Sequence, residues 1–298
     1  KKMPKEVEVY PKKGREMSPD SKEYSLRLEI ASQKNTITYQ VNSTNLRVKS
    51  RKKLLKKNAK IACNFWNKYV SPKVNILLKI GTFYKPLSLT IASAYQPYMK
   101  TVNGKKMMIG KINFNEKYLK TYSNERISST LAHEIGHTLG YGFDIKWKNL
   151  FNFRGNGNVI DYQIDKHNQT NAQFKADWRN DIKDMYVELD FGWGCKHSHW
   201  DEMRYGKELM TGKKNYGDED VFRVTVLTCY YMGHQINNYP EWEKTNWSTL
   251  YQEAKSFVYH DYETAMTFNR LEDHPMKIRE HEKIEEDNDQ FLPTGSDQ

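Results

Sequence analysis

His133-Glu134-Ile135-Gly136-His137, followed by Thr138-Leu139-Gly140, is the stretch on which the fold of this 298-residue chain turns. On a helix, residues four apart lie one turn above each other, so His133 and His137 can present two imidazoles to one metal ion. Glu134 then lies beside the open coordination position, where a carboxylate can deprotonate a bound water. The extended pattern HExxHxxG is that of zinc-dependent hydrolases, which makes a zinc-dependent peptidase the leading expectation.

The flanks agree with a helix at this point. Ser123 supplies an N-cap ahead of Glu125, and Ile127, Leu131 and Ile135 form a buried stripe. Gly140 is placed to let the chain leave the helix with a positive φ. Upstream, Val74 to Ile80, Leu87 to Ala94 and Met107 to Phe114 are short β-rich runs between Gly and Pro signals. Before them, residues 51–70 carry Leu54, Leu55, Ile61, Phe65 and Trp66 on a lysine-rich background, an amphipathic helix closed by Ser71-Pro72. Tyr24, Leu26, Leu28 and Ile30 alternate with polar residues, as do Ile37, Tyr39 and Val41 after Gln33-Lys34-Asn35, so a β-hairpin is expected there. Downstream, helices are expected at 171–186 (Phe174, Trp178, Ile182, Met185), at 218–232 with Asp218 as cap (Val221, Val224, Leu227, Tyr231), and at 248–268. A helix, several strands and a helix laid on the sheet make an α+β fold.

Composition narrows the class. The net charge is +10, but the positive excess is concentrated toward the N-terminus, so a domain-wide nucleic-acid footprint is absent. Arg51-Lys52-Lys53 and Lys56-Lys57 suit a solvated tail and helix face, or peripheral contact with an acidic surface or membrane headgroups. Three cysteines, Cys63, Cys195 and Cys229, are too few for a disulfide framework. No run approaches the roughly 18 apolar residues of a membrane span. The start Lys1-Lys2-Met3-Pro4 has no signal-peptide core, and earlier removal of a leader is an expectation from the missing initiator Met.

Two histidines do not complete a catalytic zinc site, which takes three protein ligands and keeps one position open. A third His six residues after the second would fall at position 143, which is Phe143. Glu188 is one candidate for the third ligand. A better one lies in Ser198-His199-Trp200-Asp201-Glu202, followed by Glu208-Leu209-Met210-Thr211-Gly212, and His197 is close enough to compete. These two segments, after HExxHxxG and a long insertion, resemble the leishmanolysin family (peptidase M8) of the metzincin clan, and Gly110-Lys111-Ile112-Asn113-Phe114-Asn115 resembles its strand before the active-site helix. The chain departs from the family in its scarcity of cysteine.

The resemblance implies a metzincin-type zincin fold, one catalytic Zn2+ on His133, His137 and His199, and Met210 as the Met-turn residue beneath the metal. It implies cleavage of internal peptide bonds with Glu134 as general base, protein or peptide substrates, and secretion or a cell-surface location. The expected organisation is a basic extension over 1–50, an N-terminal catalytic lobe over 51–142, a C-terminal lobe over 143–279 and an acidic, flexible tail over 280–298, in a monomer that binds no nucleic acid. The rival is a non-catalytic metzincin-fold surface or adhesion protein, although such a protein has no need of Glu134.

Overall fold

The lysine-rich run becomes helix α1, Lys49–Tyr69, in the computed structural model, which describes residues 34–42, 49–102, 104–160, 178–190, 195–214, 218–257 and the backbone of 295–296. Leu55, Ala59, Ala62, Phe65, Trp66 and Tyr69 recur at helical spacings and are buried, while Lys53, Lys56, Lys57 and Lys60 face water. The helix ends where Val70 and Ser71 leave it to pair antiparallel with Ile236 and Gln235. The described elements belong to one compact unit that begins at Thr36.

Four strands make the main sheet: β1 Ile37–Val41, β2 Ile76–Phe83, β3 Ala92–Val102 and β4 Lys105–Asn115. Their order across the sheet is β1-β2-β4-β3, with Gly295–Ser296 added on the far side of β3. β1, β2 and β4 run parallel, with Ile76 opposite both Ile37 and Met108, and β3 is antiparallel to β4. Side chains alternate between faces. Ile76, Leu78, Ile80, Ile112 and Phe114 enter the main core, while Leu77, Met107 and Ile109 form a small cluster apart from it.

Helix α2, Asn124–Leu139, packs on α1 and the sheet. The two helices run parallel, since Asn58 Nδ2 donates to Asn124 Oδ1 at 3.1 Å and Trp66 Nε1 to the Ala132 carbonyl at 2.8 Å. Then follow α3 Ile145–Leu150, α4 Glu202–Tyr205, β5 Asp220–Phe222, α5 Arg223–Tyr231, β6 Lys244–Asn246 and α6 Trp247–Ser256. Trp247 Nε1 donates to Ser128 Oγ at 3.1 Å, which ties α6 to α2.

Several expectations shift. Ile37–Val41 is a strand, but it joins β2 in parallel, and its hairpin partner at 24–30 lies outside the described residues. The strand expected from Leu87 begins only at Ala92, and Leu87 is 96% exposed. β3 instead runs on through Pro97, with a register shift between Tyr95 and Tyr98, because proline cannot donate to the ladder and is tolerated at a bulge. The helix expected at 218–232 starts at Arg223, since Asp220–Phe222 pair with β6. Asp218 does not cap it, and accepts instead from the Ser248 amide at 3.1 Å. The helix expected at 248–268 is Trp247–Ser256, capped by Asn246 Oδ1 on the Thr249 amide, and residues past 257 lie outside the described range. Of the helix expected at 171–186, residues 178–182 are helical, Trp178, Ile182 and Met185 are buried, and Phe174 is not among the described residues. Within 280–298 only Gly295 and Ser296 are described, paired with Ala94 and Ser93. The three cysteines are unbridged and buried, and no described helix is long and apolar enough to cross a membrane.

Candidate metal centre

Ser123 Oγ accepts the Arg126 amide at 3.2 Å and starts α2 as its sequence implies. Ile127, Leu131, Ile135 and Leu139 bury one stripe, and His133, Glu134 and His137 are themselves fully buried. The helix stops at Gly140, whose φ is 131°. A Cβ there would be strained by that φ and would lie 2.6 Å from Met232 Sδ. The stop frees the Tyr141 carbonyl, which binds His137 Nδ1 at 2.9 Å.

The third histidine arrives from a segment with no repeating structure. His199 is fully buried, and its Nδ1 meets the Cys195 carbonyl at 3.0 Å, while His133 Nδ1 meets the Leu209 carbonyl at 2.7 Å. A carbonyl oxygen can only accept, so each Nδ1 carries the ring proton and each Nε2 presents a bare lone pair. The three Nε2 atoms converge to 3.2, 3.1 and 3.1 Å. Three lone pairs at that distance repel one another unless a cation lies between them. Three nitrogens bound tetrahedrally at ordinary Zn–N lengths would lie about 3.3 Å apart, so the donor set fits zinc. Backbone anchoring of the far ring nitrogen is also the usual support of a metal-bound histidine.

Burial keeps all three rings neutral. It lowers His137 and His199 to about 3, each helped by a neighbouring imidazole. His133 is held well below the usual histidine range by burial, by His137 and by the nearby Lys214 charge. Neutral imidazole is the form that binds metal. His133, His137 and His199 are the group of potential metal ligands found among the described residues.

The other candidates take different work. Glu188 accepts the Asp190 and Glu202 amides, at 2.8 and 3.2 Å, so both oxygens hold backbone. His197 has a φ of 64° and stacks on Phe153 at 4.5 Å, and its carbonyl receives Trp147 Nε1 at 2.8 Å. It stands outside the triad. Phe143 lies edge-on to His137 at 6.2 Å.

The segment Glu208 to Gly212 supports the triad residue by residue. An added Cβ at Gly136, between the two helix histidines, would lie 2.5 Å from Met210 Sδ, so the thioether fills the notch that this glycine leaves. Leu209 provides the carbonyl for His133. Glu208, unassigned in the sequence, is buried and accepts from Met210 N at 2.6 Å, Phe222 N at 3.3 Å and Thr225 Oγ1 at 2.6 Å. Thr225 donates its hydroxyl to the carboxylate while its oxygen accepts Trp200 Nε1 at 2.9 Å. Burial pushes the Glu208 carboxyl up to about 7 against those three hydrogen bonds. Its only signal in the sequence is its place at the head of ELMTG. Trp200, next to His199, packs among Tyr141, Trp147 and Phe151.

Comparison with known proteins agrees with this architecture. A family model described as leishmanolysin, peptidase M8, matches residues 35–255. No curated protein sequence matches the chain.

Proposed function

We propose a function from the premise that this chain belongs to the leishmanolysin family of zinc-dependent metallopeptidases: it is an endopeptidase that hydrolyses internal peptide bonds of protein substrates. The observation that carries the reading is the convergence of three proton-free Nε2 atoms within 3.2 Å. His133, His137 and His199 would hold one zinc ion. When bound, that ion supplies Lewis acidity, acidifying a water and polarising the scissile carbonyl.

The remaining steps belong to the protein. Glu134 takes a proton from the attacking water and returns it to the leaving amine, so one carboxylate serves as base and then acid. The Leu209, Tyr141 and Cys195 carbonyls hold the three rings in the tautomer that donates to metal. Met210 and Trp200 fill the space beneath and behind the rings, which keeps their spacing fixed.

The test combines zinc analysis with cleavage of an unfolded protein substrate. The full chain should carry one equivalent of zinc and lose cleavage with chelator, and Glu134→Gln should keep the zinc while losing cleavage. A chain that binds one zinc yet cuts no member of a diverse peptide library would overturn the reading in favour of a binding protein.

A further inference from the structure

The charge of this molecule is distributed by structure rather than by a tail. Residues 49–123, which build α1 and the sheet, contain seventeen Lys or Arg and one acidic residue, Glu116. That carboxylate is buried and bonded to Arg51 at 3.0 Å, so it offers nothing to a cationic partner. Its other oxygen accepts Thr82 Oγ1 at 3.0 Å, and its amide donates to the Phe83 carbonyl at 2.9 Å. The first turn of α1 is therefore fixed against the C-terminal ends of β2 and β4.

From that same corner projects the loop 84–91, with Leu87 96% and Leu89 68% exposed. The loop is not loose. Asn115 Nδ2 donates to the Lys85 and Thr90 carbonyls at 3.1 and 3.0 Å, and its Oδ1 accepts the Lys85 amide at 3.4 Å. Tyr118 Oη donates to the Ser88 carbonyl at 3.0 Å, the Ser88 amide to the Lys85 carbonyl at 3.2 Å, and the Thr90 amide to Ser88 Oγ at 3.1 Å. Two leucines held in water by a tied loop expose apolar surface that a looser loop could have turned inward. Lys85 is exposed on the loop itself, Lys120 is exposed on the turn after β4, and Lys117 lies over the Tyr118 ring at 4.9 Å.

We propose that this corner docks on an anionic lipid bilayer, with Leu87 and Leu89 entering the acyl boundary and Lys85, Lys117 and Lys120 meeting the headgroups. A soluble polyanion would use the lysines and leave the leucines without a role. A second copy of the chain would bring an equally basic lobe against this one. A bilayer alone among the three matches a rigid apolar tip set in a positively charged surround.

The test is flotation of the full chain with phosphatidylserine–phosphatidylcholine vesicles, beside vesicles of phosphatidylcholine alone. Binding to the anionic vesicles is expected, weakening as salt rises. Leu87→Asp with Leu89→Asp should lower partitioning at least about tenfold, and Lys85→Glu with Lys117→Glu by a comparable factor. Both variants should keep the parent's unfolding midpoint and zinc content, because none of these side chains is in the core or at the histidines. The Leu87→Trp variant should be quenched by brominated acyl chains. Absence of binding, or loss of binding with the lysine pair but not with the leucine pair, or an unquenched Leu87→Trp, would overturn the proposal, the second outcome pointing to polyanion capture.

Discussion

His133 and His137 reach the candidate metal centre on one turn of α2, whereas His199 reaches it 62 residues after His137 on a segment without repeating structure. The first pair depends on a cap, an apolar stripe and a spacing of four, all of them local. The third histidine depends on tertiary contacts: Trp200 in an aromatic cluster, Met210 in the Gly136 notch, and Glu208 holding two backbone amides and Thr225. Both halves arrive at the same fully buried state with Nδ1 on a carbonyl. Equal geometry thus conceals unequal means, and the nonlocal half has more ways to fail.

The largest effect should come from Glu134→Gln, on the local half. Losing the proposed general base should lower kcat by about 10²–10⁴ with zinc stoichiometry unchanged, measured by metal analysis beside steady-state cleavage. Next, if the two halves contribute equally to the metal, His133→Ala and His199→Ala should weaken zinc alike, each by more than the roughly 10–100-fold cost of an outer partner. Competition with a chromogenic chelator would show it, and a much milder loss for His199→Ala would break the equivalence.

Glu208→Ala sharpens the contrast from the other side. It leaves a buried amide, a partly buried amide and a buried hydroxyl without their acceptor, and should destabilise the fold by roughly 3 kcal/mol in urea unfolding. His133, on the helix, should be affected through Leu209, so zinc affinity should fall too. Gly136→Ala should cost about 1–3 kcal/mol, because its Cβ would overlap Met210 Sδ. Met210→Ala in the same chain should recover part of that loss, and strict additivity of the two would contradict the packing described.

The most gradual effect concerns pH. The Glu208 carboxyl is raised from its ordinary 4.5 to about 7 by burial, so between those values the folded chain holds a proton that the unfolded chain has released. Stability contributed by this group therefore falls as pH rises through that window and levels off above it. Glu208→Gln should flatten the slope by no more than about 1.4 kcal/mol per pH unit, read as the difference between the two proteins' urea midpoints.

What could be read from the residues follows the same division. The α2 helix was legible end to end, from Ser123 to Gly140, because caps and stripes are short-range. The start of α5 was not, since the residues ahead of it leave helical geometry to pair with β6, some 24 residues on. Leu87 and Leu89 alternate with polar residues as a strand would, but the buried Asn115 claims the backbone on both sides of them. Glu208 gave no periodic signal at all, because its partners Met210, Phe222 and Thr225 come from three different elements of local structure. His199 was reachable only through its neighbours Ser198 and Trp200 and the later ELMTG, not through any spacing from His137.

The three carbonyls that hold the ring protons have one more consequence. A peptide oxygen cannot be mutated away, so single substitutions at Leu209, Tyr141 or Cys195 leave the proton acceptor in place and alter only what surrounds it. The proton acceptors of the three histidines are thereby insulated from side-chain changes at these three positions, as long as the path of the main chain past each imidazole is kept. An engineer could vary these three side chains without removing an acceptor from any of the imidazoles.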